Sequence, residues 1–185
     1  LVSRLADAQR VVVFTGAGVS AESGVPTFRG TDGMWKKFKP EELASMTAFM
    51  SNPDLVWEWY AHRKRVISSL QPNPGHFALV KMEQLFTHFA VITQNIDNLH
   101  RRAGSRTVFE LHGNIERNYC MKCGARYSND EVLGTTGAPT CTQCSGLVRP
   151  DVVWFGEMLS ASARARTKTL NEEPAWRRPS AATPA

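Results

Sequence analysis

The 185 residues are enough for one domain, or one domain with a small satellite, and for a sizeable core. At 42% hydrophobic and 21% charged the chain is too apolar to be disordered, and its apolar runs fall far short of the roughly 20 residues that span a bilayer. Of the net charge of +5, residues 160–185 carry +3 (Arg164, Arg166, Lys168, Arg177 and Arg178 against Glu172 and Glu173), so the body carries only +2 and a specific nucleic-acid partner is not expected.

Residues 11–14 (Val-Val-Val-Phe) read as a buried strand that ends at a glycine loop. Gly24 to Lys39 is rich in Gly and Pro, lacks a period and reads as a long loop of the kind used for lids and binding. Asn52-Pro53 starts a helix that runs to about Ser69, with Leu55, Val56, Trp59, Val66 and Ile67 on its apolar face. Asn73-Pro74 starts another, carrying Phe77, Val80 and Leu85 and ending near Phe86. Residues 89–93 and 107–111 are the second and third strands, separated by a short polar helix that ends at Gly104. A cysteine-containing insert occupies 115–150, and 151–155 is a fourth strand candidate. The alternation predicts an α/β fold with a mostly parallel, Rossmann-like sheet. Residues 160–185 offer only Leu170 and Trp176 as large apolar side chains, so a disordered or divergent tail is expected there. No basic-then-apolar leader opens the chain, and a cytoplasmic location is the expectation.

The cysteines give the most specific local signal. Cys120-x-x-Cys123 and Cys141-x-x-Cys144 have zinc-ribbon spacing, and four thiolates would close a tetrahedral, structural Zn²⁺ site. Two disulfides or four free thiols are the bland readings, and without a secretion signal zinc is preferred. The second signal is Gly16-Ala17-Gly18-Val19-Ser20-Ala21, a dinucleotide fingerprint directly after a strand. An ordinary dehydrogenase would next show a strand ending in Asp or Glu. Trp35-Lys36-Lys37-Phe38-Lys39 stands there instead, so hydride transfer is disfavoured. The third is Thr93-Gln94-Asn95-Ile96-Asp97-Asn98-Leu99-His100 with Leu111-His112-Gly113-Asn114. Each stretch begins at the C-terminal end of a predicted strand, where open α/β sheets bind ligands. Amide side chains suit ribose hydroxyls and a carboxamide, and a histidine can move a proton near neutral pH. His62, His76 and His88 read as ordinary core or surface histidines, and His100 is open.

Together, residues 16–30, Thr93-Gln94-Asn95-Ile96-Asp97, His112-Gly113-Asn114, the paired knuckles and Val153-Trp154-Phe155-Gly156-Glu157 resemble the sirtuins, NAD-dependent protein lysine deacylases, over about residues 5–159. The resemblance implies an NAD-binding Rossmann-like domain (1–114 and 151–159) and a zinc module (115–150). Residues 40–86 would be a helical insertion contributing to the small domain. It places Gly16, Ala17, Gly18 and Ser20 at the NAD phosphates, Phe28 and Arg29 on a cofactor loop, and Gln94 at the ribose. Asn95 and Asp97 would hold the carboxamide, and His112 would act as general base. Val153 and Phe155 would line the acyl-lysine tunnel, with Gly156 and Glu157 where the peptide backbone pairs. Tyr60 and Arg63, one helical turn apart, resemble the pair of the class III-like desuccinylase and demalonylase type, in which a guanidinium fork meets an acyl carboxylate. The implied products are nicotinamide, lysine and 2′-O-acyl-ADP-ribose, and the implied partners are acylated-lysine proteins or peptides, met by a monomer away from membranes. Nothing after Met158 resembles the Gly-Thr-Ser and Asn-bearing loops that close the sirtuin sheet, so an incomplete, apparently truncated sheet is expected. The alternatives are an inactive fragment serving as a zinc-containing binding module, and mono-ADP-ribosyl transfer from the same pocket.

Overall fold

Three short strands rich in β-branched and aromatic residues make the first sheet. These are β1 (Arg10–Thr15), β2 (His88–Thr93) and β3 (Val108–Glu110), all parallel and in the order β1-β2-β3 in a computed structural model that describes residues 5, 7–25 and 40–159. Phe28, Arg29 and the 160–185 stretch lie outside the described residues. The register pairs Thr15 with Thr93 and Thr93 with Glu110, which brings all three C-terminal ends to one level. A four-residue helix α1 (Gly18–Ala21) follows β1. After two short helices, α2 (Pro40–Leu43) and α3 (Met46–Ser51), come the long α4 (Pro53–Ser69) and α5 (Pro74–Leu85). Both long helices begin as the Asn-Pro pairs predict. The Asn52 side chain accepts from the Leu55 N–H at 3.1 Å, and Asn73 accepts from the Gly75 N–H at 2.9 Å.

Residues 40–86 divide between two parts of the molecule. Leu79 and Met82 of α5, with Phe86, pack on Val11, Phe89, Val91 and Val108 and so cover the parallel sheet. α4 faces the other way. Its Trp57 enters the core of the cysteine module with Val132 and Val148. Its Val56, Trp59, Tyr60 and Ile67 join Phe49, Ile115, Val152 and Trp154 in a separate core. Burying such side chains contributes roughly 1.5–3 kcal/mol each, so this one helix ties the cysteine module to the rest of the chain.

After α6 (Leu99–Ala103) and β3, the chain forms β4 (Gly113–Cys120), β5 (Arg126–Tyr127), α7 (Asn129–Leu133) and β6 (Val148–Val152). Here the sequence reading needs correction. The fourth strand lies at 148–152 rather than 151–155, and it joins β4 and β5 in an antiparallel sheet of order β5-β4-β6 instead of extending the parallel one. Pro150 is tolerated because β6 is an edge strand whose register shifts between Asn114 and Asn118. Among the described residues, no helix is long and apolar enough to cross a membrane.

Candidate active site and metal centre

The aligned strand ends place the predicted residues side by side. At Gly16 a Cβ would sit 2.9 Å from the Gln94 side-chain nitrogen, so a larger residue there would have to displace the end of that side chain. The Gln94 N–H donates to the Thr15 carbonyl at 3.2 Å. The Asn95 amide donates to the Gly16 carbonyl at 3.0 Å and to Ser20 Oγ at 3.1 Å, and Ser20 is fully buried. Ala17 caps α1 through no side-chain bond, and a Cβ on Gly18 would meet no atom of the described residues within 4 Å.

His112 follows β3 and precedes Gly113, where φ is +81° and a Cβ would lie 2.0 Å from the Asp151 carbonyl oxygen. Only glycine lets β4 start this close to β6. Nδ1 of His112 lies 3.0 Å from the Gln94 carbonyl oxygen. A carbonyl can only accept, so Nδ1 carries the proton and Nε2 presents the lone pair that a base requires. Gln94 thus touches the glycine turn with its side chain and the imidazole with its backbone. Asp97 is buried, and its carboxylate accepts from the Leu99 N–H at the start of α6 at 3.0 Å. Asn114 donates to Glu110 at 2.8 Å and to Asn98 at 2.9 Å. Burial alone would raise Glu110, but hydrogen bonds from Asn114 and Arg117 hold its carboxyl below the ordinary range.

Two histidines belong to this network although sequence reasoning left them out or open. His76 is fully buried. It closes the cap of α5 by accepting from the Asn73 N–H on Nδ1 at 3.2 Å, so its Nε2 is the donor toward Ser20 Oγ at 3.4 Å. His100 Nε2 lies 2.9 Å from Thr15 Oγ1, and the two rings meet edge to face at 4.9 Å. Burial lowers both pKa values. His100 falls to about 4, pushed further by His76 and opposed by Asp97. Both rings are therefore neutral at pH 7 and back the glycine turn without adding charge. A histidine at the third helical position after an Asn cap, where Glu or Gln is usual, was the available signal.

The substrate-side residues form a second cluster. Val153 donates its N–H to the His112 carbonyl at 2.9 Å, and Phe155 donates to the Ala44 carbonyl at 2.9 Å. Trp154, between them, is buried, while Phe155 is exposed and Gly156 turns the chain at φ +83°. The Trp154 indole N–H donates to the Tyr60 hydroxyl at 2.9 Å. The half-buried Arg63 guanidinium lies 4.7 Å from the Trp59 ring centre and 5.9 Å from that of Tyr60. Burial raises the Tyr60 phenol, which remains a neutral hydroxyl. The Glu157 carboxylate turns inward onto Arg149, and its N–H already donates to the Trp154 carbonyl at 3.0 Å.

The four cysteines converge. All four Sγ atoms lie within 4.8 Å of one another, with Cys120–Cys144 and Cys123–Cys141 at 3.5 Å. Zinc bonded at about 2.3 Å sets tetrahedral sulfur–sulfur edges of about 3.8 Å, so the donor set fits a closed Zn²⁺ site. The Tyr127 hydroxyl donates to Cys141 Sγ at 3.1 Å and lowers that thiol's pKa.

Comparison with known proteins gives a consistent picture. The sequence model of the Sir2 family matches residues 16–174, past the Ser160 boundary at which a divergent tail was expected. An NAD-dependent protein deacylase of Aquifex aeolicus is 55% identical over 164 residues, covering 88% of this chain and 68% of that protein. NAD-dependent protein deacylase 2 of Pyrobaculum aerophilum is 55% identical over 159 residues, 86% of this chain and 64% of its own length. The chain thus spans about two thirds of the length of these relatives. A solved Sir2 homologue in complex with NAD superposes with a TM-score of 0.80 at 46% identity, covering 88% of this chain and 63% of that one. A Sir2 protein holding a deacetylated p53 peptide and 3′-O-acetyl-ADP-ribose superposes at 0.82 with 37% identity, covering 91% and 69%.

Proposed function

This chain belongs to the Sir2 family, and we propose that it is an NAD-dependent protein lysine deacylase. The observation that carries the proposal is Gln94, which joins the glycine turn to the His112 imidazole through its side chain on one side and its backbone on the other. Two stretches far apart in sequence thereby meet at the C-terminal ends of β1, β2 and β3. Gly16, Ala17, Gly18 and Ser20 would receive the phosphates, and the space above Gly18, which no described residue fills, is where a ligand would approach the backbone. Gln94 would contact the ribose, Asn95 and Asp97 the carboxamide. When bound, NAD supplies the electrophilic ribose carbon that an acyl oxygen can attack. His112, protonated on Nδ1, would accept a ribose hydroxyl proton on Nε2. Phe28 and Arg29 complete the proposed cofactor loop.

Val153 and Phe155 would flank the acyl-lysine, and the backbone at Gly156 and Glu157 would pair with the peptide. The Tyr60 hydroxyl meets the Trp154 indole behind that wall and the Arg63 guanidinium lies beside the Tyr60 ring, which supports a preference for acidic acyl groups such as succinyl or malonyl. Zinc on Cys120, Cys123, Cys141 and Cys144 would hold the small module and take no chemical part. Four thiols committed to a metal support a reducing, cytoplasmic setting, and the protein is proposed to act as a monomer. The test is nicotinamide release from NAD with and without succinyl- and acetyl-lysine peptides, with mass spectrometry of the peptide. Loss of the acyl mass that requires NAD is expected. Gain of an ADP-ribose mass would instead establish transfer to another nucleophile, and no reaction on either peptide would overturn the assignment.

A further inference from the structure

A buried polar chain lies behind the proposed tunnel wall. It starts at Arg149, which is 2% exposed on β6. Its Nη1 and Nη2 meet the two Glu157 carboxylate oxygens at 2.6 and 3.0 Å, a two-pronged pair, and Nη2 also donates to the Val152 carbonyl at 2.8 Å. The guanidinium lies 3.4 Å from the centre of the Trp154 ring. Glu157 in turn accepts from the Trp154 N–H at 2.8 Å. Trp154 passes the contact on through its indole N–H to the Tyr60 hydroxyl. One side chain therefore fixes both ends of the 152–157 segment and the ring at its centre. Extended chain alternates its side chains, so pinning Trp154 inward is what sends Val153 and Phe155 to the opposite face.

We infer that Arg149 is the positioning residue that aims the acyl-lysine tunnel and the Tyr60 hydroxyl, acting through Glu157 and Trp154 and touching no substrate itself. The inference rests on the deacylase reading above. Burial would raise the Glu157 carboxyl, and the Arg149 hydrogen bonds more than reverse this and hold it below the ordinary carboxylate range. Removing Arg149 alone would strand a charge, and such a variant could simply unfold. The paired variant Arg149→Met with Glu157→Gln removes both charges and keeps the volume, and zinc content with a thermal melt checks its fold.

Two readouts are needed. Amide hydrogen exchange over 153–157 is expected to accelerate by about tenfold or more in the paired variant, and this does not depend on turnover. KM for a succinyl-lysine peptide is expected to rise on the order of tenfold, with KM for NAD changed by less than about threefold and the preference over the acetyl peptide reduced. A folded, zinc-loaded paired variant with exchange at the wild-type rate overturns the inference, and so does faster exchange with an unchanged peptide KM. If the unmodified chain releases no nicotinamide, the deacylase reading fails on that arm. The exchange readout then still decides whether Arg149 holds the segment.

Discussion

Lys64 is almost wholly buried on α4, with its ammonium donating to the Ile115 carbonyl and to Asn129 Oδ1 at 3.0 Å, and lying 5.8 Å from the Trp57 ring centre. Burial pulls its pKa from 10.5 down to about 7, against the weaker opposing pull of Glu116. The sign follows from proton counts. Below pH 7 the folded and unfolded states both hold the proton, and the group adds no pH dependence. Above pH 7 the folded state releases the proton while the unfolded state keeps it up to about 10.4, so this residue makes stability rise with pH across that window. At roughly 1.4 kcal/mol per pH unit, the gain between pH 7 and 9.5 is on the order of 3 kcal/mol. Lys64→Met removes the titration and leaves two acceptors short of a donor, a constant cost of about 1–3 kcal/mol. Urea unfolding followed by tryptophan fluorescence, run on both proteins from pH 6 to 9.5, isolates the term by difference. The stability gap, wild type minus variant, is expected to be flat below pH 7 and to widen by about 3 kcal/mol by pH 9.5. Parallel profiles throughout would refute the claim that this lysine is held in an apolar environment.

Three further outcomes follow from the geometry. Gly18→Ala is expected to keep or slightly raise the melting temperature, by up to about 1 kcal/mol of stability, while weakening NAD binding; equal loss of both would show that Gly18 serves packing. Cys141→Ser is expected to drop bound zinc from one equivalent to near none and to unfold the module around Trp57 and Val132, as read by metal analysis and exchange at residues 115–150. Tyr60→Phe leaves the Trp154 indole N–H without its acceptor, at about 1–3 kcal/mol, and is expected to lower the succinyl-to-acetyl ratio of kcat/KM, which a competition assay with both peptides measures.

The parallel strands were legible because β1 and β2 carry apolar, β-branched runs, and the helix starts because each Asn-Pro pair is followed by an apolar helical period. β6 was displaced by three residues because Arg149 and Pro150 break its pattern. A buried arginine looks like a surface one until Glu157 and Trp154 are seen around it, and a proline in a strand is admissible only at an edge, which sequence does not reveal. At the site, Gln94, Asn95 and His112 could be found because each follows a strand end. Lys64 could not, since nothing local tells a buried lysine from a solvated one, whereas His76 carried the signal of its place in the Asn73 cap. The split of residues 40–86 between the two sheets was equally hidden. It depends on which apolar faces α4 and α5 find, a tertiary outcome rather than a local one.

The most direct measurement is a crystal structure of this chain soaked with NAD. The dinucleotide is expected along Gly16 to Ser20, its carboxamide at Asn95 and Asp97, and a ribose hydroxyl within about 3 Å of the His112 Nε2. A dinucleotide bound elsewhere, or an imidazole whose Nε2 faces away from the ribose, would contradict the account.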